Sequence, residues 1–87
     1  MRYSDINPAF DPLLDNITTA QPHAIGVFAP ETEIYVSRNN EARQVVMTDV
    51  GGLFECDFAF LFVGDVVNFY VKNGTDYDVF LAEQIRE

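Results

Sequence analysis

One cysteine, Cys56, stands in the 87-residue chain, so no intrachain disulfide can staple it and the core must hold by packing alone. Basic residues are scarce. Five Lys and Arg face fourteen Asp and Glu, for a formal net charge of -9 at pH 7. That charge repels duplex nucleic acid and anionic lipid, which excludes a direct binder of the phosphate backbone. No apolar stretch approaches the ~18 residues that a membrane-spanning helix needs. The longest, Phe58 to Val63, suits a buried strand and its turn. The opening MRYSDINPAF holds no run resembling a signal-peptide core. Internal repeats and low-complexity tracts are absent, and proline stops at Pro30.

What is present is enough to fold. Hydrophobic residues make up 48% of the chain and aromatics 14%, too much for a segment that stays disordered, and the length suits one core. Pro8, Pro12, Pro22 and Pro30 each remove a backbone donor and fix φ, as befits irregular or edge segments. This divides the chain into a proline-containing lead-in over 1–15 and a single body over 16–87.

Within the body the apolar period is two. In EIYVSR, Ile34 and Val36 fall on one face and Glu33, Tyr35 and Ser37 on the other. In LFECDFAF, Phe54, Cys56, Phe58 and Phe60 share a face opposite Leu53, Glu55, Asp57 and Ala59. In VVNFYVK, Val67, Phe69 and Val71 oppose Val66, Asn68, Tyr70 and Lys72, and the β-branched and aromatic content favours extended chain. HAIGVFA holds Ile25 and Val27 on one side of a short strand, while ARQVVMT and DYDVFLAE carry weaker strand patterns. Asn39-Asn40, Gly51-Gly52, Gly64-Asp65 and Asn73-Gly74 mark reversals, since Asn and Gly tolerate positive φ. Strands separated by such turns predict an all-β antiparallel sandwich or small barrel. At the end of the chain a short helix over 78–86 competes, with Asp78 as N-cap and Leu81 and Ile85 four residues apart.

Three stretches in order, GVFAPETEIYV, VVMTDVGGLFECDF and LFVGDVVNFYV, resemble the bacterial immunoglobulin-like domains of repeat-type surface and adhesion proteins, which also occur on phage particles. Gly26, Pro30, Ile34 and Val36 carry the first likeness. Thr48, Asp49, Gly52 and Phe54 carry the second, and Leu61, Gly64, Asp65, Val67, Phe69 and Val71 the third. The resemblance covers residues 24 to 72. It implies an immunoglobulin-like antiparallel β-sandwich over 16–87, with a cell-surface or virion setting; a cytoplasmic one is the alternative for a chain whose opening shows no signal peptide.

Catalytic and metal-binding patterns are thin. His23 is the one imidazole, beside Pro22, and reads as a solvent or edge residue. Cys56 alternates with Phe54 and Phe58 toward the core as a small hydrophobe. Asp49 and Asp65 read as turn residues that bond nearby amides rather than as calcium ligands, because no D-x-D-x-D-G loop is present. Glu55 and Asp57 share a strand face, as do Asp76 and Asp78, and both pairs read as solvated, edge-protecting charge. The expectation is therefore of no catalytic, cofactor or metal residues.

Binding remains. The favoured expectation is a non-enzymatic surface or particle module that contacts protein or glycan, with outward Tyr35 and Tyr70 as anchors and Glu55 and Asp57 as further partner-binding residues. Its partners include neighbouring copies of itself or tandem domains, but neither nucleic acid nor membrane. The alternative is a small acidic phage-type inhibitor that presents carboxylates in place of phosphates to a nucleic-acid-binding protein. A spacer that only holds neighbours apart is the plainest reading.

Overall fold

The computed structural model describes residues 2–9 and 11–87. Among these residues six strands follow the turn punctuation: β1 (His23–Val27), β2 (Glu33–Arg38), β3 (Gln44–Met47), β4 (Leu53–Asp57), β5 (Val66–Asn73) and β6 (Asp76–Gln84). All pairings are antiparallel. β1 and β4 form one sheet, and β3-β2-β5-β6 form the other, giving a β-sandwich with no helix among the described residues.

The core lies between the sheets and follows the alternation. Ile34 and Val36 of β2, Phe54 and Cys56 of β4, and Val67 and Phe69 of β5 are buried, together with Phe58 just beyond β4. Phe60 departs from the pattern. β4 ends at Asp57, so the alternation stops there and Phe60 stands half-exposed against Phe62. On β1 the inward residues are Ala24 and Gly26 rather than the larger Ile25 and Val27. The cause is local: a Cβ on Gly26 would stand 2.6 Å from Phe54 Cζ and 2.6 Å from the Pro12 carbonyl oxygen. The Phe54 ring occupies the space a side chain on β1 would need.

The competing helix over 78–86 is overturned. β6 pairs with β5 from Asn73↔Asp76 to Val66↔Gln84. Leu81 and Ile85 do share a side, but as alternate members of an extended chain, with the intervening inward position taken by Glu83. Glu83 is buried and its carboxylate accepts a 2.6 Å hydrogen bond from Arg2 Nη1. A charged residue on the inner face thus disguised a period of two as a period of four. One bulge interrupts the pairing between Phe69 and Tyr70, and the additional residue, Phe80, stacks on Phe28 at 4.4 Å. At the hairpin, Gly74 and Thr75 form the two-residue loop, and only Gly74 has positive φ, as a primed turn with Gly first requires.

The described residues of the lead-in form no strand of their own yet pack on the body. Leu13 is buried and bridges Gly26, and Val27 N–H donates to the Pro12 carbonyl. Arg2 reaches Asp11 as well as Glu83, both at 2.6 Å, and donates to Asn16 Oδ1. The three charged side chains are almost wholly removed from solvent. Removing one partner from such a cluster strands buried charge and costs on the order of 3–5 kcal/mol.

Phe69 is fully buried, with ring contacts to Phe54 at 5.9 Å and Phe80 at 6.2 Å. Phe69→Ala is expected to cost about 3–5 kcal/mol, a large part of the stability of a small domain. Denaturant unfolding measures it; a midpoint near that of wild type would place Phe69 outside the core.

Candidate functional site

The outward side of the four-stranded sheet is built by cross-strand register. Tyr35 pairs with Val45 on one side and Tyr70 on the other, and Tyr70 pairs in turn with Val79. Directly opposed residues share a face, so these four form one row across the sheet. Lys72 and Tyr77, paired next to the row, lie on the same side. The two anchors expected from sequence are therefore brought together.

They are not freely exposed, however. Tyr35 faces outward as expected but retains only 9% of its surface. The Tyr77 ring stands edge-on against it at 5.0 Å and 83°, and the Tyr35 hydroxyl donates to Glu33 at 3.1 Å. That hydrogen bond holds the Tyr35 phenol above the usual tyrosine range. The Tyr70 hydroxyl is shared with Ser37 at 2.9 Å. Over both outer rings lies the Arg43 guanidinium, 4.0 Å from the Tyr77 centroid and 5.2 Å from that of Tyr70. What solvent meets is the rim: Val45, Met47 and Val79 are 61%, 57% and 52% exposed.

Glu55 and Asp57 lie elsewhere, on the outward side of the two-stranded sheet. The register sets His23 opposite Asp57 and Ile25 opposite Glu55. His23 Nδ1 stands 2.5 Å from Asp57 Oδ1, and Nε2 stands 3.3 Å from Glu55 Oε1. The expected solvent or edge histidine is thus held between two carboxylates. Its pKa is raised chiefly by the hydrogen bond to Asp57, with the nearby charges of Asp57 and Glu55 adding and partial desolvation opposing. The four partner-binding candidates divide two and two between opposite faces of the sandwich.

The turn carboxylates act on backbone. Asp49 Oδ1 accepts from the amides of Gly51 and Leu53. Asp65 accepts from the Phe62 amide, Arg38 and Asn39, which in that order hold its carboxyl down at about 2. Asp76 and Asp78 lie exposed beside the β5–β6 hairpin. Among the described residues no group of three His, Cys, Asp or Glu side chains is placed to hold a metal ion. Burial, with Asp57 adding, pushes the Cys56 thiol up to about 11, so it stays protonated at neutral pH. A cavity of about 500 Å³ opens in the lead-in beside Tyr3, Ile6, Pro8 and Leu14. Its two charged lining residues, Arg2 and Asp11, are paired with each other, and Arg2 also with Glu83.

Sequence reasoning missed Tyr77, Arg43 and the partners of His23. Tyr77 was recoverable, since counting outward from the Gly74–Thr75 loop sets it opposite Lys72. Arg43 carried no signal: it lies before β3, and only its long side chain brings it over the rings. No family model, curated protein or solved structure matches this chain.

The histidine gives a signed pH dependence. A pKa raised on folding stabilises fully below the unfolded value of about 6.5 and loses that contribution as pH rises through the folded value. His23→Gln is expected to destabilise by less than about 1 kcal/mol, because the partners are solvated, with the larger deficit at about pH 6 and the smaller at about pH 9. Melting curves at the two pH values test this; a deficit that grows with pH would reverse the assignment.

Proposed function

We propose that the chain is a non-enzymatic, immunoglobulin-like contact module, part of a surface or particle assembly, that binds a protein surface through the outward face of its four-stranded sheet. Support for the architecture comes from strand order. β1–β4 against β3–β2–β5–β6 corresponds to strands B–E against C′–C–F–G of a variable-type immunoglobulin sandwich, with Leu13 bridging Gly26 where strand A would run. The motif likeness over residues 24 to 72 points the same way.

The observation that carries the function is the composition of that face. Three tyrosines are locked by one another, by Ser37, Glu33 and Arg43, and are bordered by exposed Val45, Met47 and Val79. Rigid aromatics ringed by apolar side chains lose little freedom on binding and gain desolvation, which is how interface cores obtain their energy. A protein surface suits it better than a glycan, because the Tyr35 and Tyr70 hydroxyls already have internal partners and offer little to sugar hydroxyls.

The test is capture from a lysate of the source cells at low and high salt, with Val79→Glu and Met47→Glu alongside. Both positions are exposed, so the fold is expected to survive. Capture of a defined partner that tolerates salt and is lost with either variant is the expected result. Capture of a nucleic-acid-binding protein only at low salt, indifferent to both variants, would replace this reading with the acidic inhibitor.

A further inference from the structure

We propose that the partner this face receives is the outward side of the two-stranded sheet on a second copy, so that copies stack head to tail. The inference rests on the tyrosine face being a contact surface and follows from where the few cations go. Arg2, Arg38 and Arg86 are each paired with carboxylates on their own chain. Arg43 and Lys72 are the Lys and Arg side chains that, among the described residues, make no ion pair, and both lean on the Tyr77 ring. In a molecule of net charge -9, the two cations without an ion pair stand together on one face, whose own carboxylate, Glu33, is engaged by the Tyr35 hydroxyl. Arg43 is also held in place: its guanidinium carbon lies 4.0 Å from the Tyr77 ring centroid, and a guanidinium without an ion pair is the group best suited to grip a carboxylate.

The complementary surface is on the same chain. On the outward side of the two-stranded sheet, the Glu55 and Asp57 side chains are 57% and 85% exposed. His23 between them contributes at most one positive charge, so the group stays negative in either state of the imidazole. Exposed Val27 on that sheet and Leu14 beside it supply the apolar contacts that Val45, Met47 and Val79 lack. A chain measuring 34 × 27 × 20 Å has faces of the order of the ~800 Å² per partner that standard interfaces bury.

The two surfaces lie on opposite sides of the sandwich, and this fixes the kind of assembly. A contact between unlike faces leaves a free face at each end, and with the two faces on opposite sides it propagates as a stack rather than stopping at a two-fold dimer.

Sedimentation of the intact chain over a wide concentration range tests the proposal. Wild type is expected to gain mass progressively past the dimer. Arg43→Glu with Lys72→Glu, and separately Glu55→Lys with Asp57→Lys, are each expected to weaken association by roughly tenfold or more, since each opposes like charges. An equimolar mixture of the two double variants is expected to associate again, because the reversed faces match; circular dichroism confirms that each variant is folded. A wild type that stays monomeric, stops at a dimer, or associates equally in all variants overturns the proposal. If it stays monomeric while lysate capture is still lost with Val79→Glu, the contact face stands and the second copy is ruled out as its partner.

Discussion

Phe54 sits where β1 has no side chain, and the rest of the sandwich depends on that fit. Its ring lies over Gly26 within its own sheet and reaches Phe69 across the core at 5.9 Å. Phe69 in turn meets Phe80, the bulge residue of β6, and Phe80 stacks on Phe28 in the β1–β2 connection. One run of rings therefore joins both sheets and the loop between them. With Cys56 alone and protonated, no covalent link shares this task. Gly26 sets how closely β1 approaches the ring, and Leu13 and Pro12 then seal the outer edge of β1.

The rings fill the interior, and on the outward sides the placement of charge sets the two faces apart. Three of the five Lys and Arg residues close the molecule on itself: Arg2 secures the lead-in to Glu83, Arg38 binds Asp65 and Glu41, and Arg86 meets Asp5. Arg2 matters most, since its partners are nearly out of water and a buried carboxylate left alone is costly. The remaining two stand over tyrosine on one face, while uncompensated carboxylates hold the other. This asymmetry is the physical basis for the unlike-face contact proposed above.

Much of the fold was legible in the sequence where alternation was uninterrupted. Ile34 and Val36, Phe54 and Cys56, and Val67 and Phe69 turn inward as their spacing requires. β6 was harder to read because Glu83 occupies an inward position, and its partner Arg2 lies 81 residues earlier. The candidate site shows the same limit. Period two places Tyr35 and Tyr70 on the outward side, but it gives no account of Tyr77 leaning across to cover Tyr35 or of Arg43 reaching over both outer rings. Likewise His23, Glu55 and Asp57 were each visible, and only the pairing of β1 with β4 joins them. Alternation reports which side a residue faces; register and side-chain length decide what it meets there.

The close fit of Phe54 over Gly26 is tested most directly by adding a single methyl group. A Cβ at position 26 would meet Phe54 Cζ at 2.6 Å and the Pro12 oxygen at 2.6 Å, so either the ring or the lead-in must move. Gly26→Ala is expected to lose about 1–3 kcal/mol through overpacking, and to lose less when Phe54→Leu relieves the ring contact. Denaturant unfolding of the two single variants and the double variant measures both quantities. A Gly26→Ala protein as stable as wild type, or a cost unchanged by Phe54→Leu, would contradict the account of how the two sheets are held together.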